Sequence, residues 1–410
     1  MRCAILCSLL LSLLRNPKIC STTSVSADDN SHFAVDLYQA ISTLHPGQNI
    51  ICSPFSITLA LGMLLLGAKG TTLHQLTQAM KLDKRSEGEE FSILKHLSSV
   101  MLSHSQEPPV SLVNALYVQD GFTIKERYLQ RNKYYFSSDI RAVNFQDSAS
   151  AARIINTWVE STTKGKIRNL FSSDEFNPLS RLVLVSAIYF KGKWKHKFTM
   201  ETTELMTFTK TDGSATEIPM MSHHLKAHIG HFSNEDVSYQ VLELPYEGHE
   251  ISMFFVLPDQ VMDIHKVEKV LTASQIKEWL SSLTEHDVRL RIPRFKIEEK
   301  LDLKETLKAF RITELFLSSS DLPEMTDSAD VYVTSASHKA FIEVNEEGSE
   351  AAATTGIHIA AIMSMQQHQF VADHPFVFLI RHNKTGALLF MGRVMNPEIM
   401  NTEGRDTEAL

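Results

Sequence analysis

The sequence predicts an α+β fold, because helical patterns dominate the first half of the chain and short β patterns dominate the second. Apolar residues recur at helical spacing early in the chain, at Phe33, Leu37 and Ile41. After about residue 200, short runs rich in aliphatic and aromatic residues follow one another. No Gly-, Ser- or Pro-rich linker divides the chain, so we expect one domain at 28–400 and a tail at 401–410.

Three helices can be placed from their apolar spacing and their ends. The first contains the three residues just named and follows the polar sequence DDNS, which is typical of a helix cap. The second begins where Ser53 can cap the helix and Pro54 can occupy its first position, and it ends near Gly67. The third covers 151–165 and is stopped by its terminal glycine.

Nine runs have the composition of strands. They read SLVNALYVQ, RLVLVSAIYF, YQVLELPY, ISMFFVLP, VRLRIPRF, VYVTS, KAFIEV, FVFLIR and ALLFMGR. The second run is apolar almost throughout, as expected of a strand that is covered on both faces. The last two runs flank residues 383–386, Asn-Lys-Thr-Gly, which predict a hairpin turn.

The composition is that of an ordinary globular protein, with 43% hydrophobic and 21% charged residues. The formal net charge of -8 gives no indication of a nucleic-acid partner, since such proteins usually carry basic patches. We therefore expect no nucleic acid among the partners.

The first 20 residues, MRCAILCSLLLSLLRNPKIC, are typical of a secretory signal peptide. A short basic start precedes an apolar run that is too short to span a bilayer, so we expect a secreted, extracellular protein with no membrane partner. We place the cleavage site between residues 18 and 28; an apolar first helix is the alternative. Three of the four cysteines lie in or beside this segment, which leaves Cys52 as a buried thiol without a disulfide.

The sequence lacks the nucleophile elbow of lipases, the phosphate-binding P-loop and the HExxH zinc motif. The densest group of possible metal ligands is the run MSHHLKAHIGHF, with His223, His224, His228 and His231. No cysteine or carboxylate completes a familiar site, so we interpret these side chains as surface histidines on a loop and strand. We therefore expect a protein that is not an enzyme and that needs no metal or cofactor.

Residues 346–365, EEGSEAAATTGIHIAAIMSM, are small and strand-compatible where a solvated loop would be expected. With a period of two, one face carries Ser349, Ala351, Ala353 and Thr355, and the other carries Glu350, Ala352, Thr354 and Gly356. The first face is small throughout, so the segment could enter a sheet beneath packed helices without steric conflict. An alanine-rich connector fits the same residues equally well.

Several motifs, in one order from about residue 30 to the C-terminus, resemble the serpins, the family of serine-protease inhibitors. They are NIICSPFSITLALGMLLLGAKGTT, NALYVQ, INTWVESTTKGKI, LVLVSAIYFKGKW, SHKAFIEVNEEG and DHPFVFLIRHNKTGALLFMGRV. NEEGSEAAATTG is similar to the proximal hinge of the reactive loop, which this comparison places at about 346–370. GIHIAAIMS and GRDTEAL resemble the neuroserpin branch of the family.

The resemblance implies a serpin fold, with helices packed around a large mixed central β-sheet, further sheets and an exposed reactive loop. It also implies a suicide-substrate mechanism, in which a serine protease forms a covalent acyl complex and the cleaved loop inserts as a new strand. The hinge residues would be Glu347, Gly348, Ser349, Glu350, Ala351, Ala352, Ala353, Thr354 and Thr355.

The small hinge favours inhibition over the alternative, a non-inhibitory serpin with a carrier, chaperone or storage role. Non-inhibitory relatives often carry bulky, charged or proline residues in the hinge. The resemblance further implies a monomer with a risk of loop-sheet polymers.

Some matched positions suggest roles in loop insertion. Ser53, Ser56 and His338 resemble members of the polar shutter beneath the point where the central sheet opens, and Trp194 resembles the breach tryptophan at its top. Ser186 stands where the family usually has asparagine. Serine is shorter and lacks the two donors of the amide, so we expect the shutter network to be rewired or completed by water.

The family spacing places the scissile bond between Ile362 and Met363, and one residue further gives Met363–Ser364. No Lys or Arg occurs at 349–370, which disfavours trypsin-like proteases because their specificity pocket requires a cation. Elastase-like or chymotrypsin-like targets fit better. In addition, Asn383 begins the only Asn-x-Ser/Thr sequon in the chain, so we expect one N-glycan there.

Overall fold

The computed structural model describes residues 27–82, 89–101, 110–328, 330–347 and 368–397. Its helices are α1 (Ala27–Leu44), α2 (Pro54–Leu65), α3 (Gly70–Ala79), α4 (Glu89–Met101), α5 (Glu126–Phe136), α6 (Ser148–Thr162), α7 (Ile264–Val270), α8 (Ala273–Ser282) and α9 (Leu303–Ala309). Its strands are β1 (Ile50–Cys52), β2 (Val110–Gln119), β3 (Asp139–Val143), β4 (Leu182–Phe190), β5 (Glu204–Thr209), β6 (Ala215–Ser233), β7 (Ser238–Pro245), β8 (Ile251–Pro258), β9 (Thr284–Pro293), β10 (Phe295–Asp302), β11 (Val333–Val344), β12 (His368–Val371), β13 (Phe376–His382) and β14 (Leu388–Val394). The α+β prediction is confirmed. Within the described ranges, no helix combines the length and apolar character needed to cross a membrane.

The helix starts agree with the sequence at α2 and differ at α1. The Ser53 hydroxyl caps α2 by accepting a hydrogen bond from the Ser56 N–H at 3.1 Å, and Pro54 is the first helical residue, as predicted. The prediction that DDNS caps α1 is wrong, because the helix already begins at Ala27 and includes those residues.

The five-stranded sheet has the order β10-β11-β4-β2-β3. β4 runs parallel to β11, in a register that places Leu182 beside Val333 and Phe190 beside Ile342. On its other side β4 pairs antiparallel with β2. β4 and β11 are therefore direct neighbours in the middle of the sheet, and we call the boundary between them the central seam.

β11 corrects one strand prediction and β4 confirms another. The runs VYVTS and KAFIEV were expected as two strands, but residues 333–344 form one, because the polar Ser337 and His338 between them are buried in the sheet. All nine residues of β4 are buried, as expected. Its even-numbered apolar residues join the main core with α2, whereas Val183 and Val185 join a second core with α6.

The second sheet is built from nine of the described strands, in the order β1-β14-β13-β8-β7-β6-β9-β12, with β5 paired to β6. The hairpin between β13 and β14 is confirmed, and Gly386 takes the positive φ of +75° that its turn requires. β6 carries all four clustered histidines, so the expectation that part of the run is a loop is wrong.

The two sheets are linked by residues 348–367, which lie outside the described residues. The link leaves the carboxyl end of β11, in the five-stranded sheet, and reaches β12 at the edge of the nine-stranded sheet. The link therefore starts close to the carboxyl end of the central seam.

Candidate functional site

One hydrogen bond between side chains crosses the central seam. Ser186 on β4 and His338 on β11 are register partners, and the Ser186 Oγ lies 2.9 Å from Nδ1 of His338. Both residues are fully buried. The seam is thus closed on its core side by a polar contact as well as by the backbone ladder.

The contacts of His338 fix its tautomer. The backbone N–H of Ser53 donates to Nε2 of the imidazole at 3.0 Å, so this nitrogen carries no proton. The proton of the neutral ring is therefore on Nδ1, which donates to the Ser186 hydroxyl. That hydroxyl in turn donates to Oγ of Ser56, 2.8 Å away. The predicted shutter residues consequently form one directed chain of hydrogen bonds.

Asn114 ends this chain, and sequence reasoning missed it. It lies on β2 as the register partner of Ser186. Its Oδ1 accepts from the Ser56 hydroxyl at 3.2 Å, and its Nδ2 donates to the backbone carbonyl of Ser56 at 3.0 Å. An amide one strand away thus provides the donor that Ser186 lacks. Each polar group in this hydrogen-bond chain therefore has a protein partner.

Burial strongly disfavours the charged form of His338 and lowers its pKa from 6.5 to about 3. The unfolded chain binds the proton below pH 6.5 and the folded one only near pH 3, so stability falls as the pH falls through this window. We expect up to about 1.4 kcal/mol per pH unit from this residue. Urea unfolding of the wild type and of His338→Gln between pH 6.5 and 3 measures this contribution to the free energy of unfolding. If this free energy falls equally steeply with pH in both proteins, His338 is not the buried neutral group described here.

Replacing Ser186 by alanine should destabilise the protein by about 1–3 kcal/mol, since the buried Nδ1–H of His338 loses its acceptor. Ser337→Ala is the matched control, because Ser337 Oγ is equally buried on β11 but has no hydrogen-bond partner among the described residues. Denaturant unfolding should therefore show a loss for Ser186→Ala and almost none for Ser337→Ala. Equal effects of the two changes would contradict the hydrogen-bond chain.

Trp194 lies at the carboxyl end of the seam, in the connection that follows β4. Its indole N–H donates to the carbonyl of Asn345 at 2.9 Å, and its ring stacks on Tyr246 with the centroids 4.4 Å apart. Its backbone N–H donates to the carbonyl of Glu347 at 3.2 Å. Trp194 therefore holds the residues just beyond β11 against the end of β4, where the 348–367 link begins.

Glu346 lies beside these residues, although the sequence predicts it as part of the loop. It is only 3% exposed, and its carboxylate accepts from the Thr203 hydroxyl at 2.8 Å. The same oxygen lies 3.6 Å from Nη1 of Arg294, which is also buried. Such pairing is what makes a buried carboxylate tolerable. Glu346 is thus anchored at the start of the predicted loop of about 346–370, and β12 begins at His368 near its end.

Most of the predicted loop lies outside the described residues. This holds for the hinge beyond Glu347 and for both candidate bait bonds, Ile362–Met363 and Met363–Ser364. Their roles remain predictions. Cys52 lies within the described part and is a buried free thiol, as expected, and burial raises its pKa well above the ordinary value.

Asn383 lies in the predicted turn, and its side-chain amide is hydrogen-bonded within the protein. Its Nδ2 donates to the carbonyl of His249 and to the hydroxyl of the buried Ser252, both at 2.9 Å. A glycan bonded to this nitrogen would replace one of the two donated hydrogens. The glycan stays a prediction. Its attachment would cost the folded protein one of these two hydrogen bonds.

Comparisons with known proteins agree with this geometry. The family model described as "Serpin (serine protease inhibitor)" matches residues 28–397. Serpin I2 of Homo sapiens is 51% identical over 385 residues, which cover 94% of this chain and 95% of the relative. Neuroserpin of Gallus gallus is 43% identical, with 98% and 99% covered. Leukocyte elastase inhibitor of Bos taurus is 38% identical, with 90% and 98% covered.

Among solved structures, native protease nexin-1 with heparin superposes with a TM-score of 0.84 at 35% sequence identity. The match covers 90% of this chain and 99% of that chain. The range of the family model includes the central seam and the strands on either side of it. The chain belongs to the serpin family of serine protease inhibitors, in its neuroserpin and pancpin branch.

Proposed function

We propose that the protein is a secreted suicide-substrate inhibitor of serine proteases that traps its target by inserting the cleaved loop into the central seam. One structural feature supports this function above all. β4 and β11 are parallel neighbours, and the 20-residue link 348–367 starts at the carboxyl end of β11. A segment that folds back from that end runs antiparallel to both strands, so it can pair with each of them.

The length and the side chains of the link suit this movement. Residues 349–361 would span roughly 43 Å as a strand, at about 3.3 Å per residue. β4 has nine residues, so the inserted strand would be at least as long as its new neighbour. The small face at Ser349, Ala351 and Ala353 would pack toward the core, where Ser186 and His338 now close the seam.

Insertion must break the contact between Ser186 and His338, because the new strand would lie between the strands that carry them. Each partner keeps another protein contact when the seam opens: Ser186 keeps Ser56, and His338 keeps the backbone N–H of Ser53. Opening the seam at its core side therefore leaves the buried Nδ1–H of His338 without its acceptor, at a cost of about 1–3 kcal/mol. We propose that these residues act as the shutter, and Trp194 as the breach residue.

Elastase-like or chymotrypsin-like proteases are the proposed targets, with cleavage at Ile362–Met363 or one residue further. The supporting observation is the absence of Lys and Arg from residues 349–370. One relative, 38% identical to this chain, is named leukocyte elastase inhibitor, and this name supports an elastase-like target. The protein is proposed to act as a monomer, with loop-sheet polymers as the hazard of a seam that can open.

Incubation with pancreatic elastase, chymotrypsin and trypsin, followed by a denaturing gel, tests this function. We expect a complex with elastase or chymotrypsin that survives denaturation, because an acyl bond joins the two proteins. Trypsin should give none through this loop. Peptide sequencing of the released fragment locates the cleaved bond. Cleavage without any surviving complex would favour the non-inhibitory alternative.

The protein secreted from eukaryotic cells should carry one N-glycan, on Asn383. Glycosidase treatment should increase its gel mobility, and the increase should vanish in both Asn383→Gln and Thr385→Ala. The second variant removes the sequon but keeps the amide that contacts Ser252. Unchanged mobility of the wild type after treatment would rule the glycan out.

A further inference from the structure

Two histidines face each other across the last strand pair of the nine-stranded sheet. β12 is the end strand of that sheet and pairs in parallel with β9, with His368 beside Val288. The rings of His286 on β9 and His368 on β12 lie 4.3 Å apart between centroids, inclined by 41°. His368 is exposed and His286 is half-buried, so solvent reaches the pair.

The pair borders an open pocket of about 570 Å³ with a mixed polar and apolar lining. Gln240, Gln369 and His231 also line it. His231 is held by Asp259, whose Oδ2 lies 2.8 Å from its Nε2. The described residues contain no converging group of three or more His, Cys, Asp or Glu side chains. Any ion bound here would therefore have two imidazole ligands and would complete its coordination with water.

We propose that His286 and His368 bind a divalent transition-metal ion between them, bridging β9 and β12. A metal ion lies about 2.0–2.1 Å from an imidazole nitrogen, hence roughly 3.2 Å from the ring centroid. If the two bonds from the ion to the imidazole nitrogens make a right angle, the ring centroids are about 4.5 Å apart. At the tetrahedral angle the centroids are about 5.2 Å apart.

The observed separation of 4.3 Å is closer to the right-angle arrangement. Tetragonal coordination by nitrogen and oxygen ligands is typical of Ni²⁺ and Cu²⁺, and imidazole is a preferred ligand of both. Hard ions such as Mg²⁺ prefer oxygen ligands and should not bind here. Nε2 of His286 contacts the Thr284 hydroxyl at 2.8 Å, so the ion would take Nδ1 or displace that hydroxyl.

A bound ion would fasten β12 to the sheet. This strand has only four residues and directly follows the 348–367 link, so the ion would secure the carboxyl-terminal end of the link without touching the central seam. A ligand that binds the paired arrangement stabilises it against opening. The metal would thus slow the local detachment of β12.

Equilibrium dialysis of the untagged full-length protein against Ni²⁺, with Mg²⁺ in parallel, tests the site. We expect one Ni²⁺ per chain that is lost, or bound at least about tenfold more weakly, in both His286→Asn and His368→Asn. His228→Asn is the matched control. His228 is exposed on neighbouring β6, and strand alternation places it on the face of the sheet opposite His286, so its loss should leave binding unchanged. Circular dichroism confirms that each variant is folded.

Hydrogen exchange gives a second readout that does not depend on stoichiometry. Ni²⁺ should slow exchange of the β12 amides several-fold in the wild type and leave it unchanged in His368→Asn. Wild-type affinity in either pair variant, equal loss in His228→Asn, or no effect on β12 exchange would each overturn the assignment.

Discussion

Arginine in place of Ala353 is expected to convert the inhibitor into a substrate. Ala353 belongs to the small face of the hinge, so insertion would bury it between the sheet and the helices that cover it. An unpaired guanidinium there costs several kcal/mol, which slows insertion while leaving the bait bond untouched. Deacylation would then finish before the protease is displaced. On a denaturing gel with a protease that the wild type traps, the variant should give cleaved protein and no complex.

Glu350→Arg provides the matched control for this experiment. The period-two pattern assigns position 350 to the opposite face of the same segment, and this position already carries a charged side chain. The control should therefore still form most of its covalent complex. If Ala353→Arg traps protease as efficiently as the wild type, or if both variants fail equally, the face assignment of the hinge is wrong.

Cleavage within the loop is expected to make the protein more resistant to heat, although it removes a peptide bond. In the intact protein one strand ladder joins β4 and β11 at the seam. An inserted strand would replace it by two ladders, one to each of these strands. The intact form would therefore be a kinetic trap above a better-paired state. We expect the melting midpoint to rise by more than about 10 °C, which corresponds to several kcal/mol.

Melting intact and nicked protein side by side, at the same scan rate, measures this rise. The nick should be made with a protease that cleaves the loop without being trapped. Ser186→Ala, nicked in the same way, tests whether the seam residues limit the gain. A nicked wild type that melts at or below the temperature of the intact protein would support the non-inhibitory alternative.

The elements with strong periodicity were predictable from the sequence, and those with mixed patterns were not. The fully buried β4 and the capped α2 followed directly from an unbroken apolar run and from Ser53-Pro54. The single strand β11 was missed because a buried Ser337-His338 pair in its middle resembles a turn when only the sequence is considered. A polar residue inside a sheet becomes interpretable only when its partners are known.

The residues of the candidate site were likewise only partly predictable from the sequence. Ser53, Ser56, His338 and Trp194 were selected by resemblance, and the structure brings the first three together with Ser186. Asn114 was missed although its strand was predicted, because nothing in a linear sequence pairs it with a serine on a neighbouring strand. Glu346 was missed because an exposed loop is the usual place for an acid, and only the folded chain shows Thr203 and Arg294 around it.

The crystal structure of the loop-cleaved protein tests the central claim most directly, since it shows whether the seam between β4 and β11 opens. We predict a six-stranded sheet in which residues from Ser349 onward form a strand antiparallel to both neighbours. Ser186 and His338 would then no longer be in contact. A cleaved structure that retains the present pairing, with Leu182 beside Val333 and Phe190 beside Ile342, would contradict inhibition by insertion.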